Sequence, residues 1–236
     1  MNRRPGRAAA PFLERTSLAG SRPEVNPYRD RHASFGQEIL PAEVAPGAKG
    51  RWNEVFGREA PRFLELGLGN GSWLADRAAS APAEDWIGLE IRFKRCVQAA
   101  EKLRAAGATN GRVVRYSWFD LPDLFADGEL CGIYVHHPDP WVSSSEAKHR
   151  LIKDDFVALA ARLVRPGGEL RLKTDFRPHQ QALLAGAERV GGWTVHGVSD
   201  DVRTQGAPWP DDVITGYQAK FDAQGLPVYA VWLKRL

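Results

Sequence analysis

Three glycines at alternate positions restrict the fold of this chain more than any other feature of its sequence. Gly67, Gly69 and Gly71 follow directly on the apolar run Phe63 to Leu66, and residues 72–79 continue with helical spacing. A glycine loop between a strand and a helix lets the backbone turn tightly and approach a ligand, while the helix N–H groups face that ligand. The segment therefore predicts a strand–loop–helix unit whose loop binds a nucleotide-like group.

The same alternation of strand and helix continues along the rest of the chain. Apolar runs predict further strands, and apolar residues at helical spacing predict the helices between them. The predicted strands cover residues 86–90, 113–116, 133–135, 169–174, 194–198 and 228–233, and the helices residues 93–103, 154–163 and 178–190. This order indicates an α/β fold with a mostly parallel, doubly wound sheet and helices on both faces. In such sheets ligands bind beyond the carboxyl ends of the strands.

The arginines are concentrated at the start of the chain. Residues 1–35 hold seven arginines against three acidic residues, a net charge of +4, whereas the whole 236-residue chain carries only +3. The rest, at about −1, has no overall positive field for nucleic acid. We expect residues 1–45 to form a flexible Arg-rich arm with one docked segment around residues 28–40, and residues 46–236 to form one domain. The alternative for the arm is a solvated extension without a partner.

The composition is that of an ordinary globular protein. Hydrophobic residues make up 43% of the chain, and no run of 18 apolar residues occurs, so we expect neither a membrane span nor a secretory signal. Cys96 and Cys131 fall in a predicted helix and a predicted strand, which favours buried reduced thiols over a disulfide or a metal site. We therefore expect a cytoplasmic protein, monomeric or homodimeric, without a bound metal.

An acidic residue lies where the strand after the glycine loop ends. Glu90 stands 23 residues after Gly67, and a carboxylate at that point can accept hydrogen bonds from both hydroxyls of a ribose. The third glycine falls at position 71 rather than 72, and Glu65 precedes the loop, so the spacing favours S-adenosylmethionine over a dinucleotide. The simpler alternatives are a solvent-facing strand end for Glu90 and a partner of the helix dipole for Glu65.

An unusual turn follows the strand at residues 133–135. Pro138 to Trp141 places Asp139 between two prolines, which fix the backbone on either side of the carboxylate. The functional interpretation is an active-site acid beside an aromatic ring, facing a flat, nitrogen-rich substrate. The alternative is an ordinary turn, since Asp between prolines is a common turn former. His136 and His137 precede the turn, but adjacent strand residues point to opposite faces, which disfavours a metal site.

Several short motifs follow one another between about residue 49 and the C-terminus. They are Lys49–Gly57, Glu65–Gly71, Gly88–Glu90, Pro138–Trp141, Arg150-Leu151, Gly167-Gly168, Lys173–Asp175 and Thr215–Tyr217. In this order and spacing they resemble the bacterial tRNA (guanine-N7)-methyltransferase family. The pairing of a Pro-Asp-Pro-Trp turn with a Lys-Thr-Asp strand end resembles that family rather than methyltransferases at large.

The resemblance implies a class I methyltransferase fold, with a seven-stranded sheet whose last strand runs antiparallel. It implies S-adenosylmethionine as cofactor, tRNA as partner and Asp139 as the catalytic carboxylate. Together with the glycine loop, it assigns the cofactor to Glu65, Gly67, Gly69, Gly71, Glu90 and Ser117. Together with the turn, it assigns the substrate to Trp141, Ser143, Asp175, Thr215, Tyr217 and Gln218.

The chemistry of guanine N7 is consistent with these assignments. N7 carries an in-plane lone pair and no proton, so the reaction needs alignment with the methyl donor more than it needs a strong base. As the methyl group transfers, positive charge moves onto the purine, and a fixed carboxylate such as Asp139 can stabilise it or hold the N1–H and amino edge. Asp175 would converge on the same rim, although it is also placed to cap the helix that contains Pro178.

The chain departs from the family pattern where the family meets its tRNA. The strongly basic run that usually follows Trp141 is replaced by residues 142–150, with two formal positive charges and one negative. Ser143 stands where the family has a substrate-binding lysine, and Ser117 where it tends to have a cofactor-binding Asp. Gln218 replaces the Glu of the Thr-x-Tyr-Glu signature, so recognition of the two-donor edge of guanine would be weakened or altered. Each lost phosphate contact also lowers the affinity for RNA.

Three functions are compatible with these observations. The first is a tRNA guanine-N7-methyltransferase in which the Arg-rich arm replaces the missing basic loop. The second is a methyltransferase of the same descent that acts on a small purine-like or heteroaromatic metabolite. The third is a non-catalytic module that binds cofactor or RNA, which the intact glycine loop, Glu90 and Asp139 disfavour.

Overall fold

The computed structural model describes residues 26–236, and a single eight-stranded sheet organises them. The strands are β1 (Ile39–Leu40), β2 (Arg62–Leu66), β3 (Asp85–Glu90), β4 (Gly111–Arg115), β5 (Leu130–His136), β6 (Val164–Thr174), β7 (Trp193–Ser199) and β8 (Tyr229–Arg235). Their order is β1-β4-β3-β2-β5-β6-β8-β7, and β8 runs antiparallel to both of its neighbours. The α/β class, the mostly parallel sheet and the antiparallel last strand are therefore confirmed.

Helices fill the connections between the strands. They are α1 (Pro27–Ala33), α2 (Trp52–Phe56), α3 (Ser72–Ser80), α4 (Phe93–Ala105), α5 (Leu121–Leu124), α6 (Asp154–Leu163), α7 (Arg177–Val190), α8 (Val202–Gln205) and α9 (Gly216–Ala223). Short 3₁₀ helices occur at Ala45–Ala48, Trp118–Asp120 and Ala147–His149. Within residues 26–236, none of the helices has the length and apolar character that crossing a membrane requires.

The sheet has one strand more than the seven expected. The additional strand is β1, an edge strand of two residues that pairs in parallel with β4 through Ile39 and Leu40. Ile39 and Phe35 are buried, and α1 packs on α4. A pair of residues is too short for periodicity to reveal a strand. The domain boundary near residue 46 remains a prediction.

Two apolar layers enclose the sheet. One contains Leu64, Ile87 and Phe156, and the other contains Trp86 and Val97. Neighbouring residues of β3 enter opposite layers, as the alternation of side chains along a strand requires. The central strands are buried on both faces, so their sequences are nearly continuous apolar runs.

Both cysteines are buried and free, as expected. Burial raises the pKa of the Cys96 thiol to about 12, and the nearby Glu90 carboxylate adds to this shift. The thiol form is therefore strongly favoured at neutral pH.

Candidate active site

A cavity of about 580 Å³ opens at the carboxyl ends of β2, β3 and β5. The glycine loop, the end of β3, the turn after β5 and the start of α9 all contribute to its walls. The predicted site residues that line it are Glu65, Gly67, Gly69, Glu90, Asp139, Trp141, Thr215 and Tyr217. Distant segments of the chain thus converge at the edge where parallel sheets bind ligands.

The remaining predicted site residues lie outside this lining. They are Gly71, Ser117, Ser143, Asp175 and Gln218. Gly71 has a φ of +77° and packs against α4, where an added Cβ would lie 2.3 Å from the Cα of Ala99. The close approach of α3 to α4 therefore requires glycine here, independently of any ligand.

The two serines that replace family residues make local hydrogen bonds. Ser117 Oγ accepts a hydrogen bond from the N–H of Phe119 at 3.3 Å and caps a 3₁₀ helix. Ser143 Oγ donates to Glu146 at 2.6 Å in an exposed loop. A cofactor role for Ser117 and a substrate role for Ser143 remain predictions.

The glycine loop and Glu90 form one side of the cavity. Gly67 and Gly69 have φ values of +81° and +53°, and an added Cβ would meet nothing within 4 Å at either position. Conformation therefore requires glycine at these two positions. Glu90 Oε1 accepts hydrogen bonds from the N–H groups of Ile91 and Arg92 at 2.8 and 3.0 Å. These backbone bonds fix the orientation of the carboxylate next to the loop.

Glu65 lies beneath the loop and shares a hydrogen bond with His136. The Glu65 Oε1 to His136 Nδ1 distance is 3.1 Å, and Glu65 Oε2 has no hydrogen-bond partner among the described residues. Burial raises the pKa of Glu65 well above its usual value, and the negative charge of Glu90 adds to the shift. Burial also lowers the pKa of His136 well below its usual value, as does the positive charge of Lys173. A buried oxygen without a partner is costly unless a ligand donates to it.

The turn after β5 carries backbone strain on both sides of its prolines. His137 and Trp141 have φ values of +46° and +43°, the two positive values among the described non-glycine residues. Such conformations cost about 1–3 kcal/mol each and persist only where the surroundings impose them. Here the N–H of His137 donates to the Lys173 carbonyl at 2.8 Å, and Arg150 donates to the Trp141 carbonyl at 2.9 Å. Asp139 is exposed between these anchors and lines the cavity.

The start of α9 lines the cavity next to this turn. Thr215 Oγ1 accepts a hydrogen bond from the N–H of Gln218 at 2.9 Å and caps the helix. The Tyr217 ring stacks on His137 with 5.7 Å between ring centroids. Gln218 is buried, and its Oε1 accepts a hydrogen bond from Lys173 Nζ at 2.6 Å. In this arrangement Gln218 holds the helix and faces away from the cavity.

Two cations shape the walls of the cavity, although their sequence motifs predict no role for either of them. Arg150 holds the turn, and Lys173 holds α9 together with the segment before it. The Lys173 side chain is fully buried, with Nζ 2.5 Å from Asp212 and 3.2 Å from the Val213 carbonyl. The sequence did contain a signal for the role of Lys173. A lysine within a predicted strand of a sheet covered on both faces is a buried charge, and a buried charge requires partners.

Comparisons with known proteins agree with the motifs. A family model described as "Putative methyltransferase" matches residues 59–231. The tRNA (guanine-N(7)-)-methyltransferase of Geobacillus kaustophilus (strain HTA426) is 32% identical over 201 residues, which are 85% of this chain and 90% of that protein. The chain belongs to the tRNA (guanine-N7)-methyltransferase family.

Other relatives and solved structures are consistent with this family. The tRNA (guanine-N(7)-)-methyltransferase of Streptococcus equi subsp. zooepidemicus (strain MGCS10565) is 33% identical over 77% of this chain and 85% of that protein. The crystal structure of the 16S rRNA methyltransferase KamB matches with a TM-score of 0.58 over 79% of this chain and 94% of that chain. Because that match is only 14% identical, it shows the class I methyltransferase fold alone.

The methyl donor of the family, S-adenosylmethionine, fits the groups at the glycine loop. Once Glu65 is ionised, its unpartnered Oε2 is an acceptor for a donor of the ligand, and the oriented Glu90 carboxylate suits ribose hydroxyls. Gly67 and Gly69 leave the backbone open beside both carboxylates. We therefore assign these four residues to the cofactor as a proposal.

Binding of S-adenosylmethionine should release protons and become tighter as the pH rises. Burial, followed by Glu90, raises the pKa of Glu65 in the free protein. A ligand of net positive charge favours the ionised carboxylate and lowers that pKa, so affinity increases with pH between the two pKa values. Calorimetry in buffers of different ionisation enthalpy measures the released protons, and Glu65→Gln should abolish the release. An equal pH dependence in that variant would contradict the assignment.

Proposed function

We propose that this protein transfers the methyl group of S-adenosylmethionine to N7 of a guanosine in tRNA. The observation that carries the proposal is the shared cavity, which is lined by the glycine loop and Glu90 after β2 and β3 and by Asp139 after β5. The relatives described above are named for this reaction, which favours tRNA over a small purine-like substrate. The retained acidic residues support an enzyme over a non-catalytic binding module.

The residues of the cavity have two roles, which are to position the reactants and to stabilise the charge that develops. S-adenosylmethionine supplies an electrophilic methyl group when bound. Trp141, with its ring 5.3 Å from that of His149, offers an aromatic surface on which a base can stack. Asp139 lies next to this ring, and its carboxylate stabilises the positive charge that develops on the purine. N7 has no proton to remove, so alignment of the two reactants contributes most of the acceleration.

The loop after the turn offers little charge for phosphate groups. Arg150 donates to the Trp141 carbonyl, and Glu146 lies hydrogen-bonded to Ser143 in the same loop. Lys148, which is exposed, is the one lysine between residues 142 and 150. Because each phosphate contact adds to affinity and to its salt dependence, this loop supplies only a weak grip on RNA.

We assign the phosphate contacts that this loop lacks to the N-terminal part of the chain. On the surface where α1 meets α4, Lys94 lies 5.9 Å from the centre of the Tyr28 ring, and Arg29 is exposed. Arg31 lies 5.7 Å from the same ring but is ion-paired with Glu101. Cations that alternate with aromatic rings suit a nucleic-acid backbone and its bases. The further arginines Arg3, Arg4, Arg7, Arg15 and Arg22 lie outside the described residues.

The decisive experiment offers the protein two acceptors with labelled S-adenosylmethionine. Unmodified bulk tRNA should gain label as 7-methylguanosine, whereas free guanine and guanosine should not. Turnover of free purines without incorporation into tRNA would overturn the proposal in favour of the metabolite alternative. If S-adenosylhomocysteine forms neither with tRNA nor with free purines, both the proposal and the metabolite alternative are contradicted.

A deletion of residues 1–25 tests the Arg-rich arm. It should raise the KM for tRNA and reduce its salt dependence, with the affinity for S-adenosylmethionine as the control. Deletion of residues 1–35 is less informative, because it also removes α1 and the buried Phe35. An unchanged salt dependence would contradict the proposed role of the arm.

A further inference from the structure

The His137 side chain combines three features that the glycine loop and the acidic turn do not explain. Although it borders the cavity, only 3% of its side-chain surface is exposed. Its Nδ1 lies 3.1 Å from Asp175 Oδ1, and its ring lies 5.7 and 5.8 Å from those of Tyr217 and Phe221. Its Nε2 is buried and has no hydrogen-bond partner among residues 26–236.

Asp175 determines which ring nitrogen carries the proton. Although burial favours the neutral acid, the hydrogen bond from His137, a backbone hydrogen bond and the nearby histidines together lower the pKa of Asp175 below its usual value. The carboxylate accepts a hydrogen bond from Nδ1–H, and in the tautomer that carries its proton on Nδ1 the Nε2 lone pair is an acceptor. A buried acceptor without a partner is unfavourable, and a donor on the ligand removes that penalty.

Guanine presents two neighbouring donors, N1–H and the 2-amino group. Gln218, which the family resemblance would place at this edge, is occupied by Lys173. We propose that His137 Nε2 accepts a hydrogen bond from the N1–H and amino edge of the target guanine, with Asp175 as the positioning residue that fixes the tautomer. This inference rests on the proposed function and names the residue that selects the base.

The same contact discriminates between bases and assists the reaction. Adenine has a lone pair at N1, which would face the lone pair of His137 Nε2, so adenine is disfavoured by repulsion. When methylation places positive charge on guanine, its N1–H becomes a stronger donor. The hydrogen bond therefore strengthens as the transition state forms, which raises kcat as well as affinity.

The test compares His137→Phe, Asp175→Asn and the double variant on bulk tRNA. Phe keeps a ring for stacking on Tyr217 but removes both nitrogens, and we expect kcat/KM to fall by roughly 10²-fold. Asn can donate to Nδ1, which moves the proton to Nε2 and turns the acceptor into a donor, so it should be similarly damaging. The double variant should lose no more than His137→Phe alone, because the two residues act as one unit.

Three controls separate this role from a merely structural one. Thermal stability and the affinity for S-adenosylmethionine should stay near the wild-type values in both single variants. His196→Phe, which alters an exposed histidine on β7, should retain normal activity. If His137→Phe fails to fold, Asp175→Asn decides the question, because it preserves the shape of the side chain.

Two results would overturn the inference. One is wild-type kcat/KM in His137→Phe or Asp175→Asn, and the other is a double variant whose loss equals the product of the single losses. A wild-type protein that forms no 7-methylguanosine in tRNA would instead overturn the proposed function. Normal wild-type activity with unaffected variants would overturn only the role of His137.

Discussion

Asp139→Ala should lower kcat for methyl transfer by roughly 10²–10³-fold, the usual effect of removing one preorganised charge-stabilising group. The affinity for S-adenosylmethionine should stay nearly constant, because the glycine loop and Glu90 follow β2 and β3, whereas Asp139 follows β5. The fold should also be unaffected, since Asp139 is exposed and the turn is anchored by Arg150 and by the N–H of His137. Single-turnover kinetics and calorimetric titration of the cofactor measure the two effects separately.

Asp139→Asn distinguishes the two ways in which this carboxylate can act. Asn keeps the shape and one acceptor oxygen but removes the charge. If charge stabilisation dominates, Asn should be as inactive as Ala; if a hydrogen bond to guanine dominates, Asn should retain part of the activity. Asp155→Ala, on the exposed first turn of α6, controls for the change in net charge. Loss of cofactor affinity in Asp139→Ala would instead place Asp139 in the cofactor site.

The residues that sequence reasoning brought together correctly are those at the ends of strands. Glu65, Glu90 and Asp139 are far apart in the sequence, but each lies at or just beyond the carboxyl end of a strand of one sheet. Parallel topology then places them around one cavity, so recognising the strands was sufficient. The Pro138–Pro140 turn was visible because proline has a strong local preference.

The features that sequence reasoning missed depend on contacts between elements. Gly71 belonged to the glycine pattern, but besides its positive φ its need for glycine comes from Ala99 on a neighbouring helix. Gln218 belonged to a recognisable signature, but its orientation depends on Lys173, which lies on β6. Local patterns carry no information about how closely α3 approaches α4 or which buried group a polar side chain meets. Such contacts become visible only when the packed structure is known.

Lys173→Met should lower the free energy of unfolding by about 3 kcal/mol, the lower end of the range for breaking a buried ion pair. The substitution keeps most of the side-chain volume but leaves Asp212 and Gln218 without the cation they contact. Because these partners hold the segment that leads into α9, Thr215 and Tyr217 should lose their fixed positions. The KM for tRNA should therefore rise by a larger factor than the Kd for S-adenosylmethionine, because the Lys173 charge reaches the proposed cofactor site only through His136. Denaturant titration and steady-state kinetics measure these effects.

Lys234→Met is the matched control, because Lys234 Nζ lies 3.0 Å from Glu169 but a third of its side chain is exposed. A partly exposed pair of this kind contributes under about 1 kcal/mol, so equal losses for the two lysine variants would contradict the role assigned to Lys173.

A second variant separates lost charge from lost packing. Adding Asp212→Asn to Lys173→Met removes the uncompensated carboxylate and should recover part of the stability. If it recovers the KM as well, the charge pair alone positions α9; if stability recovers without the KM, the Lys173 contact with Gln218 positions the helix.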